Sequence, residues 1–104
     1  MFIRLRPQKV WNTSGYIVQT GSRYSMQYLK GELLAEIEVD FGTVVSLYPE
    51  SMAVRPQKNA PFRRATPEER QLIMGRIEGA LKFMKEKYAI YEGRQLETNK
   101  RDSQ

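Results

Sequence analysis

The 104-residue chain carries 17 Lys and Arg against 12 Asp and Glu, a net charge of +5, with 40% apolar and 28% charged residues. That length holds one domain with a real core, and that balance fits a globular chain rather than a disordered one. The absence of cysteine and histidine excludes a disulfide framework, a thiol nucleophile, a cysteine-ligated metal and an imidazole base. The expectation is therefore a protein that is not an enzyme and uses no cofactor or metal. No apolar run approaches the roughly 20 residues that span a bilayer. The opening MFIRLRPQK is too short and too basic for a signal peptide, so the expected location is the cytoplasm.

Residues 2–9 alternate, with Phe2, Arg4 and Arg6 on one side and Ile3 and Leu5 on the other. Pro7 restricts this to a short or edge strand. Trp11 is followed by a polar turn, Asn12-Thr13-Ser14-Gly15. Residues 16–19 and 23–29 read as two strands joined through Thr20-Gly21-Ser22, with Tyr24, Met26 and Tyr28 sharing a face. Lys30-Gly31 turns the chain again. Residues 33–41 give the clearest strand: Ala35, Ile37, Val39 and Phe41 alternate with Glu36, Glu38 and Asp40. Residues 43–48 read as a further strand. Residues 49–65, punctuated by Pro49, Pro56 and Pro61, read as a long basic loop with a helical turn near residues 50–54.

The best-written element is a helix over residues 66–87. Thr66 is an N-cap, Pro67 fits the first helical position, and Glu69 completes a capping box. Ile73, Ile77, Ala80, Leu81, Met84 and Tyr88 recur at helical spacing. Gly75 and Gly79 interrupt an otherwise good helix and suggest close approach of a sheet. Residues 88–92 read as a last strand. The predicted architecture is α+β: an antiparallel sheet of four to five strands with one C-terminal amphipathic helix on one face. Residues 1–93 form a single domain and residues 94–104 a polar, disordered tail.

Three groups of residues are candidates for function. Glu36, Glu38 and Asp40 share a strand face and could meet a basic partner or a divalent ion, or simply pair with Arg4, Arg6 or Arg23 on neighbouring strands. The loop carrying Arg55, Lys58, Phe62, Arg63 and Arg64 combines cations with an aromatic. That combination suits a protein interface or phosphates and bases equally. Trp11, Tyr16, Tyr24, Tyr28, Tyr48, Tyr88 and Tyr91 are mostly core material, with Trp11 the best interface anchor.

Several segments resemble, in order, a family of small bacterial immunity proteins, class seventy-four of the polymorphic toxin systems. They are Gly15-Tyr16-Ile17, Arg23-Tyr24, the Gly-Glu-Leu-Leu-Ala run from Gly31 to Ala35, Tyr48 with Ser51, and Thr66, Glu68 and Arg70 with Ile77 beyond them. The likeness spans residues 14–84. The resemblance implies an α+β fold and a non-enzymatic role, binding and neutralising a cognate toxin domain by protein–protein contact. The expected contact residues are Trp11, Tyr48, Arg55, Lys58, Phe62, Arg63 and Arg64, with Glu36, Glu38 and Asp40 as the alternative face. Two other readings stay open: a small basic nucleic-acid-binding module, and a phage-type inhibitor of a host enzyme.

Overall fold

Alternation of apolar and polar residues recurs along the first half of this chain, so sheet is the larger part of its regular structure among the described residues. The computed structural model describes residues 1–6 and 8–91. Pro7 and the predicted tail, residues 94–104, lie outside these. The order is β1 (Phe2–Arg6), β2 (Lys9–Asn12), β3 (Tyr16–Ser22), β4 (Ser25–Lys30), β5 (Leu33–Asp40), β6 (Val45–Arg55), β7 (Arg63–Arg64), α1 (Pro67–Phe83) and β8 (Tyr88–Ile90). All eight strands belong to one curled sheet. The first seven pair antiparallel with their chain neighbours, and β8 returns parallel to β6 after the helix. The fold is α+β as expected, but the sheet is larger than four to five strands and is not wholly antiparallel. Parallel pairing follows from the helical crossover, which brings the chain back to the same end of the sheet.

Short connections set the register. Asn12 and Tyr16 oppose each other across three loop residues. The Asn12 side chain accepts from the Ser14 N–H at 2.7 Å, the Gly15 N–H donates to the Asn12 carbonyl, and Gly15 sits at φ +98°. That is a turn closed by a left-handed glycine. Between Lys30 and Leu33 only two residues intervene, and Gly31 takes φ +60° at the first of them.

The long basic loop is the main departure from expectation. β6 runs straight through Pro49 to Arg55, with no helical turn. Glu36 opposes Ala53 while Glu38 opposes Tyr48, so extra residues bulge out of β6 between them. Proline is tolerated at a bulge because it has no ladder bond to donate. Ser51 repairs the ladder: its Oγ accepts from the Glu38 N–H at 2.7 Å and donates to the Tyr48 carbonyl at 2.6 Å. Other expectations shift at their ends. Tyr24 lies in a turn and is exposed rather than sharing the buried face of Met26 and Tyr28, and Phe41 lies just beyond β5, also exposed.

The helix begins as read. Thr66 Oγ1 accepts from the Glu69 N–H at 3.1 Å, and Glu69 accepts from the Thr66 N–H at 2.9 Å. Its buried stripe of Ile73, Met74, Ile77, Ala80 and Leu81 lies on the sheet face formed by Val10, Val18, Met26, Tyr28, Ile37, Leu47 and Val54. It ends at Phe83, earlier than expected. Met84 caps it, the Glu86 N–H donates back to the Leu81 carbonyl, and the Lys85 N–H to the Lys82 carbonyl. This Schellman ending places Lys85 at φ +61°, where glycine is the favoured residue. Tyr88, which continues the helical spacing but reads as the start of a last strand, begins β8 (Tyr88–Ile90). Neither helical glycine is required by close packing. A Cβ on Gly75 would meet nothing within 4 Å, and one on Gly79 would sit an ordinary 3.5 Å from the Phe2 ring.

Two substitutions should therefore stabilise the fold. Gly75→Ala restores helix propensity and Lys85→Gly relieves the left-handed cap, each by about 1 kcal/mol. Their effects should add in urea denaturation, because the sites share no partner. A loss of stability for either would contradict the cap and helix geometry described.

Candidate functional site

The helix covers one face of the sheet, and every second strand residue points to the other. Six strands stay in register across that outer face. Ile3 of β1 opposes Trp11 of β2, Trp11 opposes Ile17 of β3, and Ile17 opposes Leu29 of β4. Leu29 then opposes Leu34 of β5, and Leu34 opposes Arg55 of β6. The row beside it, Val10, Val18, Tyr28, Ala35 and Val54, is buried under the helix, which fixes the direction of the first row. At about 4.8 Å per strand the apolar strip from Ile3 to Leu34 is roughly 19 Å long, and Arg55 extends the row to roughly 24 Å. Ile3 and Trp11 are 42% and 36% exposed, and Ile17, Leu29 and Leu34 are half-buried. At the far end the Arg55 guanidinium lies 5.6 Å over the Phe62 ring, itself 44% exposed. Arg55 Nε is buried without a hydrogen-bond partner.

Beside the strip runs a polar row. Gln19 Nε2 donates to Gln27 Oε1 at 2.7 Å, and Gln27 Nε2 donates to Glu36 Oε2 at 2.8 Å. Glu36 thus ends an amide ladder rather than pairing with Arg4, Arg6 or Arg23. Glu38 and Asp40 are exposed further along β5, opposite Tyr48 and Ser46. Residues two apart on a strand lie about 6.5 Å from one another. Among the described residues no group of three His, Cys, Asp or Glu is placed to hold a metal ion.

The predicted contact residues divide between two tasks. Trp11, Arg55 and Phe62 lie along the strip. Lys58 is exposed nearby, its N–H donating to Glu32 Oε1 at 3.2 Å. Tyr48 stands on the same face but further along β6, stacked on Tyr91 at 5.6 Å. Arg63 and Arg64 are engaged elsewhere. Arg63 grips Glu69 with two bonds of 2.8 and 2.7 Å, and Arg64 reaches the Glu50 carboxylate at 3.8 Å and carbonyl at 3.4 Å. Arg63 ties this segment to the start of the helix, and Arg64 ties it to β6. Ile3, Ile17, Leu29 and Leu34 escape a sequence reading, because only the pairing of hairpins shows that they form one row.

The chain matches no protein-family model, no curated protein and no solved structure. Among the described residues no helix is long and apolar enough to cross a membrane.

The Arg63–Glu69 clamp predicts acid sensitivity. The two Arg63 hydrogen bonds, helped by the Thr66 N–H, hold the Glu69 carboxyl at about 2, against an ordinary value of 4.5. A depressed folded-state value means the stabilisation is complete above pH 4.5 and is lost as pH falls from there toward 2. Glu69→Gln should lower stability at pH 7 and flatten the pH dependence across that window in thermal melts. Raised salt should shrink the difference, since both side chains are partly exposed.

Proposed function

We propose that this chain is an immunity-type binding protein that neutralises a cognate toxin domain in the cytoplasm of the producing cell by covering it. The carrying observation is the apolar strip from Ile3 to Leu34, closed by the Arg55–Phe62 pair and left uncovered among the described residues. An apolar row with an aromatic at one end and an arginine at the other has the make-up of an interface core. Half-buried Leu and Ile rows gain little by facing water, and burial against a partner removes roughly 25 cal/mol per Å² of apolar surface from solvent. The order of motifs shared with the immunity family points the same way. A phage-type inhibitor of a host enzyme would use the same surface.

The nucleic-acid reading draws less support. Of the four cations that would make phosphate contacts, Arg63 and Arg64 already face carboxylates, and Arg55 is turned onto Phe62. The acidic alternative face loses Glu36 to the amide ladder.

Trp11 offers the direct test. Trp11→Ala should leave far-ultraviolet circular dichroism unchanged and weaken binding to the product of the adjacent toxin gene at least 30-fold, the size expected of a central aromatic anchor. Glu38→Ala and Asp40→Ala together should change it less than threefold. The proposal fails if Trp11→Ala binds like the parent, or if the adjacent product does not bind at all.

A further inference from the structure

β1 ends the sheet among the described residues, and its outer edge is unpaired there. The Thr13 N–H donates to the Met1 carbonyl at 2.9 Å. That bond makes Phe2 and Asn12 a non-hydrogen-bonded pair, so alternation turns the peptide N–H and C=O of Phe2 and Arg4 away from β2. Ile3 directs its own toward Trp11. All of β1 after Phe2 is exposed. Such an edge is a template for another strand.

Charge decides what can use it. Arg4 stands on one side of β1 with Phe2, Arg6 and Lys9 stand on the Ile3–Trp11 side beyond the strip, residues 1–30 contain no acid, and none of the three cations has an ion-pair partner among the described residues. A second copy adding through the same edge would bring six such cations together with no acid between them, which opposes pairing. Leu5, the extra residue where Arg4 opposes Val10 and Arg6 opposes Lys9, adds a bulge that further discourages self-association.

We infer that the β1 edge captures an extended segment of a partner protein in which apolar and acidic residues alternate. The added strand would bond to the main chain of Phe2 and Arg4. Its acidic residues would fall on the Arg4 side of the sheet. Its apolar residues would fall on the other side, prolonging the Ile3–Trp11 strip by one more strand. The inference rests on the reading of the chain as a protein-binding module and adds the partner's conformation and charge to it.

The test uses two capped eight-residue peptides, one alternating valine with glutamate and the other valine with lysine. Both are titrated into the full ¹⁵N-labelled chain at low salt. The glutamate peptide should bind saturably and slow amide hydrogen exchange at Phe2 and Arg4 at least tenfold, leaving Ile3 unchanged. The lysine peptide should bind at least tenfold more weakly. Arg4→Pro removes an outward N–H together with the Arg4 cation and should abolish binding of both peptides, while Arg4→Glu keeps that N–H and should reverse the peptide preference. Equal affinity for the two peptides, unchanged exchange at Phe2 and Arg4, or binding unaffected by either variant would overturn the inference. So would slowed exchange at the same amides on concentrating the chain alone, which would assign the edge to a second copy. Trp11→Ala with the adjacent gene product reports on the strip separately, so the edge can fail while the toxin-binding reading stands.

Discussion

A single helix cannot cover both faces of a sheet, and this constraint shapes the rest of the molecule. Seventeen residues of helix extend about 25 Å and are about 10 Å across, whereas the path of seven paired strands is roughly 29 Å wide. Burial on the helix side is thorough: Val10, Val18, Leu47, Val54 and Ala80 have no exposed surface. The opposite face receives the alternate residues of the same strands and must be made tolerable in water by other means. One row is made so by the Gln19–Gln27–Glu36 ladder, which satisfies its own polar groups. The row beside it remains apolar and depends on side-chain packing along the sheet, with Trp11 second in it after Ile3.

β6 carries the connection between the two halves of the fold. It pairs with β5 along one side and with β7 and β8 at either end of the other. The gap between those two short strands coincides with the bulge at Pro49, Glu50 and Ser51. Glu50 meets Arg64 and Arg70 there, so the interruption in the ladder is also the place where the helix start and the loop are tied down. A proline that breaks pairing locally is thereby accommodated without ending the strand.

Legibility followed the range of the forces involved. The start of α1 is readable because Thr66, Pro67 and Glu69 act on one another within a single turn. The buried side of β5 is readable because Ala35, Ile37 and Val39 alternate with acids. β6 is not, because Pro49 and Pro56 imitate loop punctuation, and the repair by Ser51 depends on Glu38, thirteen residues earlier. The helix end is misplaced because Lys85 occupies a position that glycine usually marks. β8 pairs parallel with a strand more than thirty residues before it, and no local pattern encodes that choice. Among the candidate contact residues, Arg63 and Arg64 are expected at a partner surface, and the structure engages both within the chain. Glu69 and Glu50 lie close enough in space to claim them, and an arginine with a bidentate carboxylate is a strut of the scaffold.

The same reasoning explains why strip and edge belong to one surface. Ile3 is both the outermost member of the apolar row and the residue between the two outward-facing peptides of β1. A strand added at that edge would place its apolar side chains in line with Ile3 and Trp11 and would lengthen the row without changing its register. The charges then divide the work. Long-range attraction from Arg4, Arg6 and Lys9 speeds encounter with an acidic segment and fades with salt. Main-chain pairing and apolar burial supply the part that salt does not screen. A basic chain can thus meet an acidic partner segment through one edge while its contact core stays apolar, and the net charge of +5 is no obstacle to specific protein binding.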